Sequence, residues 1–315
     1  MADFIPVTLI KKEVTEGVDP VPTSAANAIL TRNAKFEPLK IDLLERNLDI
    51  PSFGATAGVA TNELGMISFE CELQSSGAAG TAPPWMVLDE GCRMAAPVLT
   101  ASTKAEQRMA AITAAPSSLA AYFYLDDMQH KLLGMRGDIS AIDFTAGAYP
   151  FIGYDFMGIV PPAASTPFAD VAPGALTLTG WKDPLEVNTT NTTVSLDGFA
   201  CVMRNFKAKA NAEVKLRNLV GKRYIQRGNH KLDCSILIEA PTFGAKNYLA
   251  TMRAGSRIAL NITHGTVAGS IVQIDAPTVQ ITKITPQSED DIVMYAIDGI
   301  MTITVGQDDL LITAR

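Results

Sequence analysis

Charge is scarce in this sequence. Lys, Arg, Asp and Glu make up 19% of its 315 residues, below the usual share of about a quarter in globular domains. A monomer needs a well-solvated surface, so a thin supply of charge leaves surface free to become interface. Basic charge is scarcer still: 26 Lys and Arg stand against 33 Asp and Glu, a formal net charge of −7. That balance argues against gripping a nucleic-acid backbone broadly, because such binding needs Lys and Arg to neutralise phosphates. No stretch reaches the roughly 18 apolar residues that cross a bilayer as a helix, so no membrane partner is expected. The opening Met1-Ala2-Asp3-Phe4-Ile5-Pro6 lacks the basic start and apolar run of a secretory signal.

Chemistry-bearing residues are few and scattered. Cys71, Cys92, Cys201 and Cys234 fall in no metal-like spacing and read as buried, reduced thiols of a cytosol-made protein. His130, His230 and His264 have no histidine partner at ligand spacing. Asp126-Asp127 and Glu289-Asp290-Asp291 fit solvated hairpin turns and lack the regular oxygen spacing that calcium needs. Gly134-Met135-Arg136-Gly137 reads as a bend or bulge in a strand. Phosphate-binding glycine loops and nucleophile elbows are missing. The expectation is no enzyme, no cofactor and no metal.

What the sequence does have is apolar residues, 47% of the total, enough for a full core and too many for global disorder. Their spacing is mostly two, the period of a half-buried strand. The fold class expected is mainly β. Three parts follow: an N-terminal arm over 1–33, a first β domain over 34–165 and a second over 166–315. Pro161-Pro162-Ala163-Ala164-Ser165-Thr166-Pro167 marks the linker. Residues 36–48 and 66–73 read as strands, and 49–65 as a long mobile loop. Short helices are expected after Pro83-Pro84, over 105–113 and over 245–254. Later strands include 193–203 and 206–219. The halves differ in charge: residues 1–165 carry 11 basic and 19 acidic side chains, and residues 166–315 carry 15 and 14.

The halves also echo each other. Ile67-Ser68-Phe69-Glu70-Cys71-Glu72-Leu73 leads through a helix to Gly91-Cys92-Arg93. Lys231-Leu232-Asp233-Cys234-Ser235-Ile236-Leu237 leads likewise to Gly255-Ser256-Arg257. Tyr154-Asp155-Phe156-Met157-Gly158-Ile159 is answered by Tyr295-Ala296-Ile297-Asp298-Gly299-Ile300. Two copies of one β unit are expected, each with a helix over a sheet. The basic run Gly221-Lys222-Arg223-Tyr224-Ile225-Gln226-Arg227-Gly228-Asn229-His230-Lys231 falls where the repeat places the loop 49–65. A hairpin tip meeting an acidic neighbour is favoured over nucleic-acid contact. Candidate contact residues are Ile50, Pro51, Phe53, Lys222, Arg223, Tyr224, Arg227 and His230.

The chain resembles the major tail tube proteins of long-tailed, siphovirus-like bacteriophages, in a form with the tube domain duplicated. The resemblance is carried by Ile5-Pro6-Val7-Thr8-Leu9-Ile10-Lys11-Lys12-Glu13, Glu16-Gly17-Val18-Asp19-Pro20, Ala28-Ile29-Leu30-Thr31-Arg32-Asn33, the loop 52–65 and Phe69-Glu70-Cys71-Glu72-Leu73. It implies tandem β-sandwich or barrel units with flanking helices. It also implies homotrimeric, pseudo-hexameric rings that stack into a hollow tail tube for DNA. The implied partners are further copies of the chain, the tape measure protein, the tail terminator and the distal tail proteins, with DNA only as passing cargo. The implied place is the virion tail, after assembly in the host cytoplasm. Residues 100–121 have no counterpart in the second half and read as an outer decoration or inter-ring contact. A capsid decoration or a contractile-type inner tube is the alternative. A carbohydrate-binding sandwich would want exposed aromatics, which Trp85 and Trp181 do not promise.

Overall fold

The computed structural model describes residues 6–46, 48–49 and 54–315. Alternating apolar residues become strands almost wherever they occur. In the first half these are β1 (Pro6–Lys12), β2 (Ala28–Ile29), β3 (Arg32–Leu44), β4 (Val59–Glu72), β5 (Val98–Thr100), β6 (Lys104–Arg108), β7 (Leu119–Leu125), β8 (Met128–Thr145) and β9 (Phe151–Ile159). The second half supplies β10 (Phe168–Asp170), β11 (Thr192–Leu196), β12 (Phe199–Ala200), β13 (Met203–Lys209), β14 (Val214–Leu219), β15 (Lys222–Arg227) and β16 (Asp233–Glu239). It ends with β17 (Arg257–His264), β18 (Val272–Glu289), β19 (Ile292–Met301) and β20 (Leu311–Ala314). Two short helices interrupt them, α1 (Met86–Gly91) and α2 (Tyr248–Arg253).

The principal sheet is a run of antiparallel pairs in the order β3-β4-β9-β8-β13-β16-β19-β18. The long strands β8 and β18 also belong to a second layer. The first part of β8 pairs with β7, which pairs with β1. The first part of β18 pairs with β17, which pairs with β11. The change of partner on β8 falls at Gly134, where φ is +59° and the β8–β9 register shifts. This is the bend expected from the glycine pair.

Between the layers, Ile67, Phe69, Tyr154, Phe156, Phe144, Phe206, Ile236 and Ile238 are buried in a cluster spanning both halves. Phe144 and Phe206 meet across the β8–β13 seam, with ring centroids 6.5 Å apart.

The expected helix over 105–113 is not formed; its first part is β6. Ala105 and Gln107 are buried while Arg108 is exposed, a period of two. What decides for strand is a remote partner, β20, which pairs with β6 from Leu311–Arg108 to Ala314–Ala105. The loop 49–65 ends early, because Val59–Gly65 already pair with β3 or β9. The single strand expected over 193–203 is a hairpin instead, since Asp197 and Gly198 turn with φ of +54° and +74°. The strand expected over 206–219 is likewise two, β13 and β14. Within the expected arm, β1 pairs with β7 along its whole length, and Leu9 and Ile10 are buried. Beyond β1, the Glu13 carboxylate accepts hydrogen bonds from Gly17 N, Ser118 Oγ and Gly134 N.

Asp89 of α1 is fully buried. It accepts a hydrogen bond from the Tyr154 hydroxyl at 2.8 Å, and its Oδ2 has no partner. Burial pushes its carboxyl up from 3.8 to about 8, so the fold favours the protonated acid. The stability this contributes is complete below pH 3.8 and is lost as pH rises toward 8, by up to about 1.4 kcal/mol per pH unit. Asp89→Asn keeps the acceptor for Tyr154 without the charge. Thermal melts at pH 5 and pH 8 should therefore show a smaller drop for the variant than for the native chain. Equal drops would mean that Asp89 is not held neutral.

Candidate assembly surfaces

The order of the principal sheet carries a pattern. β3-β4-β9-β8 and β13-β16-β19-β18 are two runs with the same succession of pairings, joined where β8 meets β13. At this seam Asn205, Phe206, Lys207 and Ala208 stand opposite Thr145, Phe144, Asp143 and Ile142, and Lys207 Nζ lies 3.2 Å from Asp143. Phe36 pairs with Ile67 in the first run, as Phe206 pairs with Ile236 in the second. The helix caps correspond too. Arg93 follows α1 with φ +70°, and Gly255 follows α2 with φ +63°.

These ladders correct the sequence matches in detail. Tyr154 pairs with Phe69 and Tyr295 with Ile238, so matching the tyrosines sets Cys71 against Ala240 rather than Cys234. The cap places Arg93 against Gly255, two residues away from the Gly-x-Arg match. The order of pairings is alike in the two runs, but the register read from cysteines and glycines differs from that of the ladders.

The seam has no counterpart at the two ends of the sheet. β3 pairs only with β4. Residues 281–289 of β18 pair only with β19, because β17 and β20 engage the earlier part of β18. Two strand edges are therefore left with unpaired backbone donors and acceptors among the described residues, a template for pairing with another chain. Pro286 removes one donor from the β18 edge, so a junction there rests on the residues on either side of it.

Away from the core, the ladders place on one face Glu37, Glu70, Glu72, Asp155, Asp143, Asp138, Asp233, Glu239, Asp298 and Glu289. The same face carries Arg32, Lys35, Arg136, Lys207, Lys209 and Lys283. The balance is acidic. A groove of about 610 Å³ on this face runs past Lys207, Lys209, Lys231, Asp233 and Asp298, so its own lining carries more basic than acidic side chains.

Two hairpins extend from the sheet. The tip of β3–β4 exposes Leu39, Ile41, Leu43, Leu44 and Val59, and Leu43 and Leu44 are each 63% exposed. β14–β15 closes on Val220-Gly221, with Leu219 opposite Lys222. Asn218 Nδ2 donates to Asn62 Oδ1 at 2.8 Å, which ties the second hairpin to the first.

The sequence-derived contact residues divide three ways. Ile50, Pro51 and Phe53 lie outside the described residues. Lys222, Arg223, Tyr224 and Arg227 sit together on β15. There Lys222 is 3.2 Å from Glu16 and 4.8 Å from the centre of the Tyr224 ring, while Arg227 bonds Asp138 at 2.8 Å. His230 lies apart, its Nε2 2.7 Å from Asp309. The basic cluster thus meets acids of its own chain. Sequence reading passed over the tip leucines as contacts and missed Arg93 and Arg136 beneath the second hairpin. Period two had marked Leu39, Ile41 and Leu43 as strand, but burial alone shows that no core covers them.

Groups of His, Cys, Asp and Glu able to hold a metal do not occur among the described residues. All four cysteines are free. Among the described residues no helix is long and apolar enough to cross a membrane. No curated protein matches the chain. A family model described as phage tail tube protein matches residues 7–304.

Proposed function

The chain belongs to the phage tail tube proteins, and from that membership we propose that three copies close edge to edge into a ring and that rings stack into the hollow tube for DNA. The family supports a structural subunit of the virion tail that associates with itself. The ring, its threefold count and the conduit are our reading. One observation carries it: the chain joins two like runs of strands at β8–β13 and leaves the matching edges, β3 and residues 281–289, unpaired. A second copy offers each edge the partner it has at the seam. Closure removes both edges, as in any barrel. In this reading residues 34–165 and 166–315 are two copies of one tube unit, so three chains give pseudo-sixfold order.

In this reading the face of the principal sheet turned away from the core, acidic in its summed charge, lines the lumen. A passing polyanion meets net repulsion there rather than a chain of binding sites, so transit is not slowed. The hairpin tips, with Ile50, Pro51 and Phe53 on the first and Lys222, Arg223 and Tyr224 on the second, reach the neighbouring ring or subunit. By family resemblance the partners are the tape measure protein, the tail terminator and the distal tail proteins, and assembly takes place in the host cytoplasm.

Electron microscopy of the concentrated protein tests the reading. Hollow rods whose axial averages show threefold symmetry with pseudo-sixfold features are expected. Monodisperse compact particles at all concentrations, or rods of another symmetry, would overturn it.

A further inference from the structure

Beneath the β14–β15 hairpin lies a cavity of about 250 Å³, lined among others by Arg93, Ser117, Arg136, Tyr224, Gln226 and Arg227. Three guanidinium groups converge on this small space. Two carboxylates answer them: Asp138 holds one nitrogen of Arg227 at 2.8 Å, and Glu16 lies 2.8 Å from Arg136 and 3.2 Å from Lys222. Positive charge is in excess.

Arg227 is the residue that needs explaining. Its side chain is 3% exposed, yet Nε and Nη1 have no hydrogen-bond partner. Donors on a buried charged group are costly to leave unmet. Arg136, by contrast, is bound to the carbonyl oxygens of Ser117 and Ile225.

Arg93 adds an independent observation. After α1, Arg93 N bonds Glu90 O and Met94 N bonds Asp89 O, the Schellman closure that calls for a left-handed residue. After α2, Gly255 N bonds Met252 O and Ser256 N bonds Thr251 O, the same closure built on glycine. The first half holds an arginine at φ +70° where glycine would be unstrained. That arginine lines the cavity, and its one side-chain hydrogen bond among the described residues, to Ile112 O, is 3.3 Å long.

We propose that this cavity binds an oxyanion, the chemistry shared by a carboxylate and a phosphate group. Planar guanidinium forks match such groups in bidentate fashion. The volume suits one small anion and is below the range of drug-sized ligand pockets. The occupant seals the hairpin onto the first half by bridging Arg227 to Arg93. The inference does not depend on ring closure.

The test is thermal melting of the subunit against inorganic phosphate, with chloride holding ionic strength constant. The native chain should show a saturable rise, about 3–5 °C at a hundredfold excess over Kd. Arg93→Gly relieves the cap, so it should melt roughly 1–2 °C higher in chloride alone, yet lose most of the phosphate-dependent rise. Phosphate binding to subunits but not to assembled rods identifies the occupant as an acidic side chain of another copy. Equal binding to both identifies a free anion. The absence of a phosphate-specific rise in the native chain, or an undiminished rise in Arg93→Gly, overturns the proposal.

Discussion

Cysteines placed at Glu37 and Glu289 are expected to link copies of this chain into closed covalent trimers. The pair follows from the internal seam. There Lys207 of β13 stands opposite Asp143 of β8. Glu37 is the counterpart of Lys207, because each follows the phenylalanine that pairs with the matching isoleucine of the next strand. Glu289 is the counterpart of Asp143, because their partners Ile292 and Phe151 each lie three residues before the matched tyrosine, Tyr295 or Tyr154. Opposed residues in an antiparallel pair have Cα atoms about 4.5–5.5 Å apart, within the span a disulfide bridges.

Glu37→Cys/Glu289→Cys protein, oxidised after assembly, should run on a non-reducing denaturing gel as dimers and trimers, with the trimer resistant to further growth. Each single variant should stay monomeric on the same gel, since three of the native cysteines are buried. A ladder continuing past three chains would mean an open filament. A monomer band alone, from rods that had visibly formed, would mean that these two edges do not meet.

Replacing Leu43 and Leu44 with aspartate should abolish rods while leaving the subunit folded. Both side chains are 63% exposed, so the isolated chain gains little from them, and its melting temperature should be unchanged. In a stack they would be covered. Burying what remains exposed of two leucines is worth about 3 kcal/mol at the usual area coefficient, and desolvating two carboxylates adds a further cost. About 3 kcal/mol corresponds to a hundredfold in association. The concentration at which rods first form, measured by sedimentation, should therefore rise by roughly a hundredfold or more. Leu43→Ala/Leu44→Ala, which removes area without adding charge, should fall between the two. Rods forming from the aspartate variant at the native concentration would show that the β3–β4 tip is not an inter-ring contact.

Other features of the chain read differently at the two levels. The turns at Asp126 and Asp290-Asp291 were legible, because short acidic runs between apolar strands have no other stable place; all three residues have φ near +50° to +63°. The helices after Pro83-Pro84 and near 245–254 were legible from their spacing and stop signals. β6 was not, because its state depends on pairing with β20, some two hundred residues away. The like order of elements in the two halves was legible, but the register of their ladders was not. Cysteine and glycine matches report composition, whereas register is fixed by which side chains face the core.

By itself the sequence determined the fold class and the bias toward assembly. Period, turn residues and charge supply are local or summed properties, and a single chain displays them all. Only the tertiary structure decided which strand edges stay unpaired, that many acidic side chains share one face of the principal sheet, and that Arg93, Arg136 and Arg227 surround one cavity. Those are relations between residues far apart in the chain, and they exist only once the long strands β8 and β18 have each bent from one sheet partner to the next.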